Sequence, residues 1–178
     1  GKLLQICAGS IYDNKGEPYC VGSPNRLALC DTLIRQTPRK TIVFVTFTSV
    51  LEHVAAYLRK KGHTVAVVHG GVSDGKRKEA FNAFRHEEEP QVLVCHPKTA
   101  AHGLTFTVAD TTIWYSPTHS GEHFEQGNAR MDRPGQKFHM SVHMLASHPL
   151  EHGVYSALKS KRRMQDAVLE MYKQVVSV

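Results

Sequence analysis

Five short apolar runs punctuate the chain: TIVFVTF (41–47), TVAVVH (64–69), QVLVC (91–95), TTIWY (111–115) and HMSVHML (139–145). Each is rich in β-branched residues and shows little polar alternation. That pattern predicts strands of a parallel sheet buried on both faces, since a sheet covered on one face only would alternate. Between the runs the apolar positions follow a helical period. Ser49-x-x-Glu52 predicts a capping box at the start of a helix that closes at Gly62, just after a last turn rich in Lys and Arg. A second helix is predicted from Asp74 to Phe84, with Ala80, Phe81 and Phe84 on its apolar side. A third runs from Ser120 to a stop before Pro134. Such strand–helix alternation implies right-handed crossovers and a layered α/β sheet.

The flanks break this rhythm. Residues 1–22 read as a β-hairpin, SIYD against EPYC around Asn14-Lys15-Gly16, and Ser23-Pro24-Asn25 predicts a capped helix running through Ile34. Pro149 opens a long helical pattern carrying Leu150, Val154, Leu158, Val168, Met171 and Val175. We therefore expect one globular lobe over 37–147, with an N-terminal hairpin and helix over 1–36 and a C-terminal helix packed on the lobe over 148–178.

Composition sharpens this picture. At 178 residues and 41% hydrophobic, the chain can build a single core. No apolar run approaches the roughly 18–20 residues that span a bilayer, so no membrane role is expected. The start GKLLQIC, without Met, suggests a piece excised from a longer protein, or a tag scar. The net charge of +6, with twelve His besides, leans toward an anionic partner such as nucleic acid. Cys7, Cys20, Cys30 and Cys95 contain no C-x-x-C, which argues against a zinc ribbon and for free thiols in a reducing cytoplasm.

Two motifs look chemical and are not. GGVSDGKR (70–77) has the G-x-x-x-x-G-K core of a phosphate loop, but Arg77 stands where a magnesium-binding hydroxyl belongs. His148-Pro-Leu-Glu151-His152 fits a zinc-peptidase order, yet Pro149 makes His148 a helix-cap residue rather than a helical ligand. A zinc hydrolase there, and a non-motor α/β nucleic-acid-binding module, are the rival readings. FEQGNARMDRPGQ (124–136) carries more. On a helix, Gln126, Arg130 and Arg133 share an arc of about 60°, while Phe124, Gly127 and Met131 share another. The second arc would pack on the sheet, with Gly127 permitting close approach. The first would present an amide and two guanidiniums, planar donors suited to phosphate.

The order VFVTFTSVLE (43–52), VVHGGVSDGKRKEAF (67–81), HPKTAAHGLTFTVAD (96–110) and EQGNARMDRPGQ (125–136) resembles motifs IV, IVa, V and VI of superfamily-two helicases. The similarity is to the second RecA-like lobe of the Swi/Snf-type branch, particularly its phage and prophage members, and covers about residues 3–172. It implies a RecA-like parallel β-sheet with helices on both faces, in a phage-infected or bacterial cell. It implies that Arg130 and Arg133 are arginine fingers for ATP, with Gln126, Gly103 and Asp110 serving the nucleotide. It further implies nucleic-acid contacts at Thr46, His69, Gly70, Ser73, Arg77, Lys98 and Thr99; Arg77 faces a DNA phosphate or braces its loop. Val45-Thr46, His96-Pro97 and Ala100-Ala101 depart from the family's Ser-Gln, Ser-Thr and Gly-Gly, shifting weight to Lys98. Ala129 departs from the Asp common in eukaryotic remodellers. No complete Walker A and no Asp-Glu-x-His occurs, so the phosphate cradle and Mg are expected on a preceding N-terminal lobe. The implied partners are that lobe and DNA gripped by its backbone. The implied fragment is a monomer, inactive alone as an ATPase.

Overall fold

The computed structural model describes residues 2–13, 17–20, 23–100 and 104–160. A short helix α1 (Lys2–Ala8) leads into a hairpin of β1 (Ser10–Tyr12) and β2 (Pro18–Cys20), followed by α2 (Pro24–Gln36). The lobe then alternates: β3 (Lys40–Phe44), α3 (Thr48–Lys60), β4 (Val65–Val68), α4 (Asp74–His86), β5 (Val92–Cys95) and α5 (Pro97–Ala100). It continues with β6 (Ala109–Trp114), α6 (Gly121–Asn128), β7 (Ser141–Met144) and α7 (Pro149–Lys159).

Strands β3 to β7 form one parallel sheet in the order β4-β5-β3-β6-β7. The three inner strands carry the most continuous apolar runs, and Ile42, Val43, Phe44, Leu93, Val94 and Ile113 are fully buried. At the edges the expectation of burial on both faces gives way: β4 and β7 are only half-covered. An edge strand has a neighbour on one side alone, so its runs need not be uniformly apolar. Apolar side chains on the two faces of the sheet form two cores. Ile42, Phe44, Leu93 and Trp114 pack with Phe81, Phe84, Phe124, Met131 and Val154 from α4, the α6 segment and α7. Val43, Val45, Val94 and Ile113 pack with Leu27, Cys30 and Ile34 of α2 and Leu51, Val54 and Leu58 of α3.

Three local expectations are corrected. Residues 2–8 are helical and precede the hairpin, because Leu4 and Ala8, four apart, bury one helical face. No capping box opens α3: Phe47 is its N-cap residue and makes no side-chain cap bond. Ser49 Oγ lies 2.9 Å from Ser10 Oγ, and Glu52 Oε1 lies 2.8 Å from His69 Nε2, so both residues serve tertiary contacts instead. Finally, α6 ends at Asn128 rather than near Arg133. The C-terminal pattern is helical from Pro149 to Lys159; Val168, Met171 and Val175 lie outside the described residues.

Candidate functional site

In a parallel α/β sheet the loops leaving the strands' C-terminal ends gather at one edge. Thr46 follows β3, His69 and Gly70 follow β4, and His96 to Thr99 follow β5. His96 N–H donates to Val68 O at 3.0 Å, so the β4 and β5 loops adjoin. Lys98, Gly70 and Ser73 are exposed there.

Other expected contacts at this edge have local work. Thr46 Oγ1 donates to Pro117 O at 3.1 Å, and its N–H donates to Ser116 Oγ at 3.1 Å. Thr99 is buried, and its hydroxyl donates to His96 O at 2.7 Å, closing the first turn of α5. Arg77 Nη2 donates to Val72 O at 3.2 Å and Nη1 lies 3.3 Å from Asp74 Oδ1, which is the loop-bracing alternative. Both ring nitrogens of His69 are engaged, Nε2 by Glu52 and Nδ1 by the Gly71 N–H at 3.1 Å. Of the expected set, Lys98, Gly70 and Ser73 face solvent openly, whereas Thr46, His69, Arg77 and Thr99 shape the loops.

The motif VI segment behaves differently from a continuous helix. Ser120 Oγ accepts from His123 N–H at 3.1 Å and caps α6. Phe124 and Gly127 face the sheet, and Gly127 lies so near it that a Cβ would stand 3.0 Å from Trp114 Cζ2 and 3.1 Å from Phe44 Cε2. Trp114 Nε1–H donates to Asn128 Oδ1 at 2.9 Å, and the chain then leaves the helix. Arg130 is buried in the turns beyond it, at 4% exposure, with Nη1 donating to Leu104 O at 3.2 Å. Its carbonyl accepts from Phe106 N–H at 2.8 Å. Burial, and after it the like charge of Arg133, push the Arg130 guanidinium below its usual range. Arg133 is exposed, with Nε donating to Ala129 O at 3.0 Å. Gln126 stays on α6, its amide donating to Glu122 Oε1 at 2.9 Å. The single polar arc expected for Gln126, Arg130 and Arg133 therefore does not form. Gln126 lies on the short helix, whereas Arg130 and Arg133 lie in the turns that follow it.

The chain and its fold match known proteins. The family described as "Helicase conserved C-terminal domain" matches residues 25–135, more than half of the chain. The chain belongs to that family. This helicase C-terminal domain is 25% identical over 156 residues to Chromodomain-helicase-DNA-binding protein 1-like of Danio rerio, covering 85% of the chain and 15% of that protein. It is 27% identical over 141 residues to Putative helicase 172L of Invertebrate iridescent virus 6, covering 79% of the chain and 23% of that protein. The chain thus spans less than a quarter of the length of these relatives. Its fold superposes on the C-terminal part of the Fun30 ATPase domain with a TM-score of 0.68 at 16% identity, over 74% of this chain and 44% of that one. On the C-terminal domain of the DEAD-box protein Dbp5 the TM-score is 0.67 at 16% identity, over 86% and 92%. These likenesses establish a RecA-like lobe.

Within this helicase domain two further residues, Asp110 and Gly103, were expected to serve the nucleotide. Asp110 lies at the start of β6, as the extra residue of an irregularity between Lys40 and Thr41 of β3. Its carboxylate accepts from Thr111 Oγ1 at 3.0 Å, and it lines a cleft of about 480 Å3 with Thr37, Arg39, Phe138 and His143. Gly103 lies outside the described residues.

The zinc reading of HPLEH fails on Glu151. That carboxylate is fully buried and taken by Arg26, whose Nη1 donates to Oε1 at 2.9 Å, and His148 Nδ1 accepts from Leu150 N–H as a helix cap. Among the described residues no three His, Cys, Asp or Glu side chains could hold a metal together. Sequence reasoning missed Arg26 altogether, since nothing local distinguishes it from a solvated helix arginine. It also missed Ser116; its position right after an apolar run, in Ser-Pro-Thr, was the available signal of a strand-end loop.

Proposed function

We propose that this domain is the second lobe of an ATP-driven DNA translocase or helicase of Swi/Snf type. Ala129, where eukaryotic remodellers often carry Asp, points away from that branch and toward the phage and prophage members. The observation that carries the reading is the double link between Arg130 and the segment after the Lys98 loop. Arg130 donates to Leu104 O, and Phe106 N–H donates to Arg130 O. A shift of the loop that meets the nucleic acid would move the finger with it, which is the coupling a motor requires.

Two guanidiniums on one segment suit a triphosphate, whose transfer spreads charge over oxygen atoms that planar donors can meet. Arg130 and Arg133 would reach across to ATP bound mainly by a lobe carrying the Walker motifs and Mg2+. Lys98, Gly70 and Ser73 would contact the DNA backbone, making binding salt-sensitive and largely indifferent to sequence.

In the two-lobe protein, Arg130→Ala or Arg133→Ala should cut DNA-stimulated ATP hydrolysis by roughly a thousandfold, with nucleotide-free DNA affinity little changed. Lys→Arg logic does not run backwards: Arg→Lys at either position should not rescue, because an ammonium lacks the planar fork. Lys98→Ala should lose DNA affinity before basal hydrolysis. Normal hydrolysis with lost DNA binding in both arginine variants would place this segment on the nucleic-acid face and sink the finger assignment.

A further inference from the structure

The loops leaving β4 and β5 are closed by one device. His69 Nδ1 accepts the Gly71 N–H at 3.1 Å, and His96 Nδ1 accepts the Lys98 N–H at 3.2 Å. In each, an imidazole nitrogen takes the role that a side-chain oxygen of Asn, Asp or Ser plays in such turns, bonding the backbone two residues on. The loops differ in what surrounds the ring. His69 has Glu52 on its other nitrogen. His96 is half-buried, and the side chains acting on it are Lys98 on α5, His69 after β4 and His123 on α6, with the Thr46 backbone as its other hydrogen-bond partner.

The consequence follows from imidazole chemistry. A neutral ring accepts only through its unprotonated nitrogen; with Nδ1 taken by the Lys98 N–H, the proton belongs on Nε2. Adding a second proton turns Nδ1 into a donor facing a donor, and the Lys98 N–H must give up this partner. Burial first, then the charges of His123, Lys98 and His69, hold His96 below the ordinary histidine value, outweighing the help from Thr46. The neutral form is thus the one the fold selects. The bond from the Lys98 N–H is intact above about pH 6.5 and is lost as pH falls from there through the lower value of the folded protein.

We propose that His96 is a positioning residue whose neutral ring fixes the loop carrying Lys98, so that acid releases this part of the lobe's grip on a nucleic-acid backbone. The inference rests on the reading of this edge as the DNA-binding surface. It explains a departure that otherwise looks like loss: where the resemblance leads one to expect Ser-Thr, His96 supplies the loop's internal acceptor, and makes it titratable.

His96→Asn tests this, because an amide oxygen can accept the same N–H and does not titrate. The first readout, without DNA, is the NMR shift of the Lys98 amide against the His96 ring across about pH 7.5 to 5. In the wild type the amide should move with the ring's titration; in His96→Asn it should stay still. The second is affinity for a short DNA duplex at fixed ionic strength. The ratio of His96→Asn to wild-type affinity should be near one at about pH 7.5 and rise roughly fivefold by about pH 5.5. His96→Ala should bind more weakly than wild type at both values; if it does not fold, the Asn variant still decides. A Lys98 amide indifferent to the ring, or a flat affinity ratio, overturns the proposal. If the wild type binds no DNA at any pH, the surface reading fails and takes the grip with it, while the amide coupling still decides the positioning role.

Discussion

Arg26 and Glu151 stand 125 residues apart and are both buried, at 4% and 0% exposure. A buried pair is tolerable only where nearly every donor and acceptor is used. Here Arg26 Nη1 serves Glu151 Oε1 and Tyr115 O, each at 2.9 Å, and Nη2 serves Glu151 Oε2 and, at 2.7 Å, Ser147 Oγ. Ser147 N–H adds a bond to Oε2 at 2.8 Å. The pair ties α2, the end of β6 and α7 into one knot. Arg26→Met alone should cost about 3–5 kcal/mol, since it strands a buried carboxylate, whereas Arg26→Met with Glu151→Leu should recover much of that loss. Urea titration of the three proteins measures it; a single-variant loss of under about 1 kcal/mol, typical of a surface pair, would refute the account. The lesson about legibility is sharp at this residue. Within HPLEH the local pattern of Glu151 suggested zinc, and its actual partner was unreadable because nothing near it in sequence reports on position 26.

Helix α6 shows the same contrast one scale up. Its start at Ser120 and the close approach at Gly127 were readable, because capping and face-pairing are local properties. Its end was not. The helical period runs on past Asn128, but Trp114 claims the Asn128 side chain and Phe106 claims the Arg130 carbonyl, and the helix stops about one and a half turns early. Two glycines on helices give a paired test. At Gly127 an added methyl is crowded by two aromatic rings, so Gly127→Ala should lower stability by about 1–3 kcal/mol through overpacking, partly offset by better helix propensity. At Gly75 on α4 nothing lies within 4 Å of an added Cβ, so Gly75→Ala should raise stability by about 0.4–1 kcal/mol. Thermal unfolding should move the two midpoints in opposite directions. A rise in both would mean that α6 packs on the sheet more loosely than these distances show.

For the whole molecule, the core of the lobe draws on residues that precede β3. Leu27, Cys30 and Ile34 of α2 are buried in the same core as β3, β5 and α3. Each large side chain withdrawn from water contributes about 1.5–3 kcal/mol, against a total stability of about 5–15 kcal/mol. Removing residues 1–36 would uncover that face and delete Arg26 as well. The truncated chain should therefore lose cooperative unfolding in urea, and an unchanged midpoint would show that the extension is dispensable.

What the sequence determined by itself was whatever repeats over a few residues. The five apolar runs specify five sheet strands, the helical period specifies α3, α4 and α6, and the ordered motifs point to a helicase C-terminal lobe. Tertiary structure alone decided the order β4-β5-β3-β6-β7, the half-covered edges, and the allocation of buried polar groups. Thr99 closes its own turn, Arg77 braces its loop, and Asp110 turns to Thr111 at an irregularity in the sheet. The physical reason is one of range. Periodicity is a property of neighbours along the chain, whereas a buried donor or acceptor must find its partner wherever the fold places one, and in this lobe that partner is as far away as Glu151 is from Arg26.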